Sequence, residues 1–124
     1  MFNIDKLQDT YTWKVEVKIP NNGTFEKIAV RVKYNRLPHN EKISLIEQME
    51  STSKLELTQI PAAENDVFDR IFAGWEKGQI KDNNGEVEDT PENRAKLLNI
   101  TEFRIALLQG FMQSMGGDLG KINS

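Results

Sequence analysis

Apolar and polar residues alternate along two stretches near the start of the chain. The first stretch runs from Tyr11 to Ile19 and the second from Lys27 to Tyr34, with the turn signal Pro20-Asn21-Asn22-Gly23 between them. The pattern predicts a β-hairpin with one wet and one dry face. An isolated hairpin is marginal in water, so helices should cover the dry face. That face comprises Trp13, Val15, Val17, Ile19, Ile28, Val30, Val32 and Tyr34.

Beyond Pro38 the apolar residues take up helical spacing. Asn40 is a candidate N-cap for a first helix, whose pattern weakens near Ser51. The next stretch, with Leu55, Leu57 and Ile60, fits a strand or a helix equally well. Pro61 begins a second helix, and its apolar residues predict a single helical face that continues to Trp75. The residues of that face are Val67, Phe68, Ile71, Phe72 and Trp75.

The last third of the chain contains a second turn and two further helices. Asn83-Asn84-Gly85 predicts a tight turn between short strands at Ile80 and Val87. Thr90 and Pro91 are typical of the first positions of a helix, which we expect to reach Leu98. Another helix should run from about Ile100 to Met115, with Asn99 and Glu102 as a capping box and Gly116-Gly117 as its stop.

Together these elements predict the α+β class, as an N-terminal β-hairpin packed on about four helices, with a short second hairpin. The 124 residues suffice for one domain, which we place at 11–116 between a flexible N-terminal arm, 1–10, and a flexible C-terminal tail, 117–124. No apolar run approaches the roughly 20 residues of a membrane span, and the charged start is unlike a secretory signal. We therefore expect a cytoplasmic protein.

The charges are unevenly distributed, although the net charge is only −3. Residues 1–36 carry seven Lys/Arg and four Asp/Glu, whereas residues 61–92 carry three Lys/Arg and nine Asp/Glu. Two solvated faces of opposite sign would explain this, as would charge complementarity between neighbouring subunits. The basic half has too little excess charge to indicate nucleic-acid binding.

The sequence offers little that is typical of catalysis or metal binding. His39 is the only histidine, and no partner nucleophile or orienting carboxylate is identifiable for it. The acidic turn beginning at Asp82 fails the spacing of a calcium loop, which requires Gly at position 6 where this chain has Val87. The absence of cysteine excludes disulfides and thiolate zinc sites. We expect no enzymatic activity, no cofactor and no metal.

The terminal helix has more apolar surface than a single core contact needs. We expect part of it, among Leu108, Phe111, Met112 and Met115, to remain accessible for a sister subunit or an apolar partner. The face with Phe68 and Phe72 is a second candidate. Gly110 lies within this helix, and either simple tolerance or the close approach of another backbone would explain it.

The order of motifs from Phe72 to Leu98 resembles that of the tail assembly chaperones of long-tailed bacteriophages and prophages. The resemblance rests on Gly74-Trp75, an acidic turn with Gly85, Pro91-Glu92 at a helix start and Leu97-Leu98 before an apolar terminal helix. The N-terminal part is similar too, with Trp13–Pro20, a glycine turn, a second strand and Arg36-Leu37-Pro38.

The resemblance implies a function in the cytoplasm of a bacterial host. Chaperones of this family bind the long, hydrophobic tape measure protein and keep it soluble until the tail tube assembles around it. A longer form made by ribosomal frameshifting would contact the tail tube protein, and self-association is expected. A structural virion protein of the head–tail connector or tail is the alternative. Neither a nucleic acid nor a membrane is an expected partner.

Overall fold

The computed structural model describes residues 1–116; the predicted C-terminal tail, 117–124, lies outside them. Its strands form a three-stranded antiparallel sheet, in the order β1-β2-β3, and a separate two-stranded ribbon, β4-β5. Within residues 1–116 there are four α-helices, so the predicted α+β class is confirmed. In chain order the elements are β1 Thr10–Asn21, β2 Thr24–Asn35, α1 His39–Thr52, α2 Ile60–Ile71, β3 Phe72–Trp75, β4 Lys81–Asp82, β5 Gly85–Glu86, α3 Pro91–Leu98 and α4 Thr101–Ser114.

The predicted N-terminal hairpin is confirmed and is longer than the alternating pattern suggested. Strand β1 pairs with β2 along its full length, and Val15 lies opposite Val30. Asn22 and Gly23 both have positive φ, 50° and 84°, as a two-residue turn between twisted strands requires. Five residues of the dry face are buried and Ile19 is half-buried. Trp13, on the edge strand, and Ile28, toward the turn, are exposed, and there the expectation is wrong.

The third strand, β3, is the main departure from the sequence prediction. The helix predicted to continue to Trp75 ends at Ile71, and Phe72–Trp75 pairs with β2. Gly74 has φ of 108°, which is incompatible with a right-handed helix. The helical spacing of the apolar residues gave a wrong prediction here. A short strand directly after a helix can bury its apolar residues in the same core, so the apolar pattern continues although the helix has ended.

Two predicted helix caps are wrong, and one is confirmed. The Lys42 amide donates to the Pro38 carbonyl at 3.0 Å, so α1 has already begun before Asn40. Similarly, the Arg104 amide donates to the Ile100 carbonyl at 3.0 Å, which leaves Asn99 one residue outside α4. The Thr90 hydroxyl accepts from the Asn93 amide at 3.1 Å and caps α3 as expected.

Helix α4 packs closely on the hairpin at Gly110. The Tyr34 hydroxyl donates to the Leu107 carbonyl at 2.6 Å, and burial raises the pKa of this phenol, so it remains a proton donor. A Cβ at position 110 would lie 2.7 Å from the Tyr34 hydroxyl oxygen and would overlap Val15. The close approach anticipated at Gly110 is therefore made by the chain's own hairpin rather than by a partner.

The second hairpin forms at the predicted turn and closes over Trp75. The Val87 amide donates to the Ile80 carbonyl at 2.9 Å, just outside the β4-β5 ladder. The Trp75 indole N–H donates to the Val87 carbonyl at 3.2 Å, and the side chain is 3% exposed. The β4-β5 hairpin is thus fixed to the core through Trp75.

The first nine residues are exposed and contain one 3₁₀ turn, Ile4–Lys6. The arm joins the hairpin where the Arg36 amide donates to the Asp9 carbonyl at 2.8 Å and the Arg36 Nε donates to the Gln8 carbonyl at 2.8 Å. The flexibility of this arm stays a prediction.

Candidate interaction surface

Helix α4 presents apolar side chains on two opposite faces. The inner face belongs to the core and comprises Phe103, Ala106, Leu107, Gly110 and Phe111. On the other side lie Ile105, Leu108 and Met112, at positions i, i+3 and i+7, which share one face of a helix. We call these three residues the outer stripe. Ile105 is 50% exposed, and the other two are half-buried.

The four terminal-helix candidates divide between these two faces. Leu108 and Met112 lie in the outer stripe. Phe111 is 0% exposed, and its ring centroid lies 5.4 Å from that of Tyr34. Met115 is half-buried at the edge of the core. Leu108, Met112 and Met115 are therefore partly accessible, whereas Phe111 could contact a partner only if the core opened. A role in binding stays a prediction for all four.

The second pair of candidates, Phe68 and Phe72, is buried beneath two arginines. The Arg104 guanidinium carbon lies 4.8 Å from the Phe68 ring centroid, and that of Arg94 lies 5.9 Å from the Phe72 ring centroid. Both rings help form the floor of a cleft of about 490 Å³ between α2 and α3. Neither ring is accessible to a partner in this arrangement, so their role in binding stays a prediction.

The two arginines also hold the helices around this cleft in place. Arg104 donates to Glu64 at 3.0 Å and to the Leu98 carbonyl at 2.7 Å, and so links α4 to α2 and α3. Arg94 forms a bidentate ion pair with Asp89, in which its Nε and Nη2 donate to the two carboxylate oxygens at 2.6 and 3.0 Å. Arg94 also donates to the Ala73 carbonyl at 3.0 Å. Hydrogen bonding to Asp89 raises the pKa of Arg94. These charged groups are already paired within the fold and serve to position the helices.

Two clefts flank the outer stripe, and Ile105 lies between them. One has a volume of about 320 Å³ and is lined partly by Pro20 and Phe25 of the hairpin. The other, of about 310 Å³, is lined partly by Pro61, Leu98 and Leu108. Because Phe25 is 61% exposed, the apolar surface extends from α4 to the hairpin. Such a surface can accept the apolar side chains of a partner helix.

Sequence reasoning missed Ile105 and Phe25 as candidates. Helical spacing places Ile105 on the same face as Leu108 and Met112. The spacing alone does not show which face of α4 is turned toward the core. Phe25 lies opposite Pro20, one residue pair from the end of the ladder and outside the predicted second strand, which begins at Lys27. In the structure, Phe25 and Ile105 line the same cleft.

The remaining chemistry of the described chain is sparse. His39 is exposed at the first position of α1, and residues 1–116 contain no cluster of three potential metal ligands. In the same part of the chain, every helix is too short or too polar to cross a membrane. Comparisons of the chain with models of known protein families, with characterised proteins and with solved structures returned no match.

Proposed function

We propose that this protein is a phage or prophage tail assembly chaperone that binds the tape measure protein and keeps it soluble during tail assembly. One observation of the structure carries the proposal: the outer stripe of α4 is apolar and leaves Ile105 50% exposed, although the inner face of the same helix and Leu108 already supply the core contacts. Single exposed apolar residues are common on protein surfaces. Apolar residues that share one helix face, with a cleft on either side of Ile105, are more typical of a binding surface.

The outer stripe suits a long helical client. A client helix would place side chains at i, i+3, i+4 and i+7 against Ile105 and into the adjoining clefts. Met112 is unbranched and adapts to different neighbours, which favours contact with many similar segments. Each contact would be weak, and many copies bound along one client would together keep it soluble. The protein would act without catalysis, in the cytoplasm of the bacterial host.

The resemblance in motif order supports the same proposal. Three of its residues have defined structural roles in the fold. Gly74 and Trp75 lie in β3, Trp75 holds the second hairpin through Val87, and Gly85 begins β5. The passage that carries the resemblance is therefore an ordered part of the domain. A longer frameshifted form that contacts the tail tube protein belongs to the proposal as well.

Co-expression with the tape measure protein of the same phage tests this function. We expect the soluble fraction of the tape measure protein to rise when the chain is present, and an unrelated soluble protein of similar size to have no effect. We also expect the chain to be absent from finished particles, as judged by mass spectrometry. An insoluble client would contradict the proposal. Stoichiometric amounts in finished particles would favour the alternative, a structural protein of the connector or tail.

A further inference from the structure

One edge of strand β1 carries backbone groups that are available for pairing. The sheet has the order β1-β2-β3, so no strand within residues 1–116 pairs with the other side of β1. The strand is also long, with 12 residues from Thr10 to Asn21. A long edge of this kind can act as a template for an extended segment of another molecule.

The register of the hairpin identifies the available groups. Because the turn has two residues, Asn21 and Thr24 form a hydrogen-bonded pair, and every second pair along the ladder does the same. The Arg36 amide donates to the Asp9 carbonyl in keeping with this alternation. The N–H and C=O groups of the intervening residues of β1 therefore point away from β2. We call four of these residues the edge residues: Thr12, Lys14, Glu16 and Lys18.

Pro20 occupies the next outward-pointing position of β1. A residue without an N–H costs the hairpin no hydrogen bond there, as is usual for proline on an edge strand. The edge residues before it all keep their N–H groups. The part of the edge that can pair with a further strand therefore extends from Thr12 to Lys18.

A groove borders this part of the edge, and helix α4 forms its other wall. One section of the groove, of about 330 Å³, is lined by Lys14, Lys18, Gln109 and Gln113 among others. The next section, of about 320 Å³, is the cleft beside Ile105, and Lys18 and Gln109 line it as well. From Ile105 to Gln113 helix α4 carries no charged residue. A strand added to β1 would thus place every second side chain against an uncharged wall.

The side chains of the edge residues favour an acidic strand. Lys14 and Lys18 are exposed, and Lys27 lies directly opposite Lys18 on β2. Between the two edge lysines, Glu16 has only a loose contact of 3.7 Å with Lys27. Lysine on an edge strand hinders pairing with another copy of the same chain. It attracts a strand that carries carboxylates at the opposite positions.

We propose that the edge of β1 from Thr12 to Lys18 binds an extended acidic segment of a partner protein, which joins the sheet as an antiparallel strand. Carboxylates four residues apart in the segment lie opposite Lys14 and Lys18, and a neutral polar residue lies opposite Glu16. The side chains between them are apolar and face α4. The proposal goes beyond the chaperone function, and its tests do not require the tape measure protein.

Amide hydrogen exchange followed by NMR provides the first test. In the free protein we expect protection at Val15 and Val17, which bond to β2, and rapid exchange at the edge residues. The probe is a blocked peptide of glutamate-valine-threonine-valine-glutamate-valine-threonine, which should protect the edge residues when it binds. Edge amides that are already protected in the free protein would overturn the proposal, because a second copy or another part of the chain would then cover the edge.

Two N-methylated forms of the peptide provide a matched comparison. Methylation of the second glutamate removes an N–H that points toward β1, and it should weaken binding by about tenfold or more. Methylation of the valine before it removes an N–H that points away from β1, so the affinity should not change. Equal affinities of the two peptides would overturn the proposal, and this comparison needs no variant of the protein.

Charge variants of the protein provide the third test. The double variant Lys14→Glu/Lys18→Glu should weaken binding of the unmethylated peptide by about tenfold or more at low salt. The control Lys6→Glu/Lys54→Glu makes the same change in net charge elsewhere and should bind like the wild type. Circular dichroism checks that both variants are folded. A folded edge variant with wild-type affinity would overturn the proposal, as would a wild-type protein that fails to bind the peptide at about 1 mM.

Discussion

Replacing Trp75 with alanine should lower the free energy of unfolding by about 3–5 kcal/mol, the range for truncating a large buried aromatic side chain. The indole is 3% exposed and stacks near Phe72, with ring centroids 6.3 Å apart. Its N–H also holds the Val87 carbonyl, so the substitution releases the second hairpin as well as opening a cavity. A loss of this size approaches the whole stability of a small domain.

Urea denaturation followed by far-UV circular dichroism measures this effect. The chain supplies a matched control, because Trp13 is 36% exposed. Trp13→Ala should lower the free energy of unfolding by clearly less than Trp75→Ala, because its indole is partly in water and holds no second hairpin. Equal losses in the two variants would contradict the assignment of Trp75 to the core.

Replacing Phe111 with alanine should also lower the free energy of unfolding by about 3–5 kcal/mol. The ring is 0% exposed and packs against Tyr34 in the region where α4 meets the hairpin. Truncation would leave a cavity beside Tyr34, next to the close packing of α4 on the hairpin at Gly110. We therefore expect position 111 to be among the positions of the chain that tolerate substitution least.

Phe25→Ala is the matched control for Phe111→Ala, since Phe25 is 61% exposed. Thermal melts should show a large decrease in the melting temperature for Phe111→Ala and little change for Phe25→Ala. A folded Phe111→Ala protein with a wild-type melting curve would mean that the ring is not a core residue. Phe111 would then return as a candidate for client contact.

The sequence predicted those parts of the fold that local patterns encode. The first hairpin has strict alternation and an Asn-Gly turn, and Thr90 with Pro91 marks a helix start; all are properties of a few neighbouring residues. Strand β3 could not be predicted in this way, because its pairing with β2 is a contact between distant parts of the chain. The position of Gly74 after an amphipathic helix was equally consistent with a helix end.

The candidate surface on α4 could likewise be predicted only in part, because it depends on contacts between distant parts of the chain. Periodicity identified α4 as apolar beyond the needs of one core, and the structure has apolar residues on both of its faces. It could not assign Phe111 to the inner face and Ile105 to the outer one, because that choice depends on where the hairpin lies. Gly110 lies on the inner face. The reason for a glycine at this position becomes clear only from its contact with Tyr34 and Val15 in the folded structure.

We propose that the outer stripe of α4 contacts the tape measure protein. Co-expression of the client with the double variant Ile105→Gln/Met112→Gln tests it most directly. Glutamine is a good helix former, so the free energy of unfolding should change by less than about 1 kcal/mol. The control Ile43→Gln/Leu57→Gln alters two other exposed apolar residues. We expect the folded outer-stripe variant to lose the solubilising effect and the control to keep it. A folded outer-stripe variant that keeps the client as soluble as the wild type does would contradict the claim.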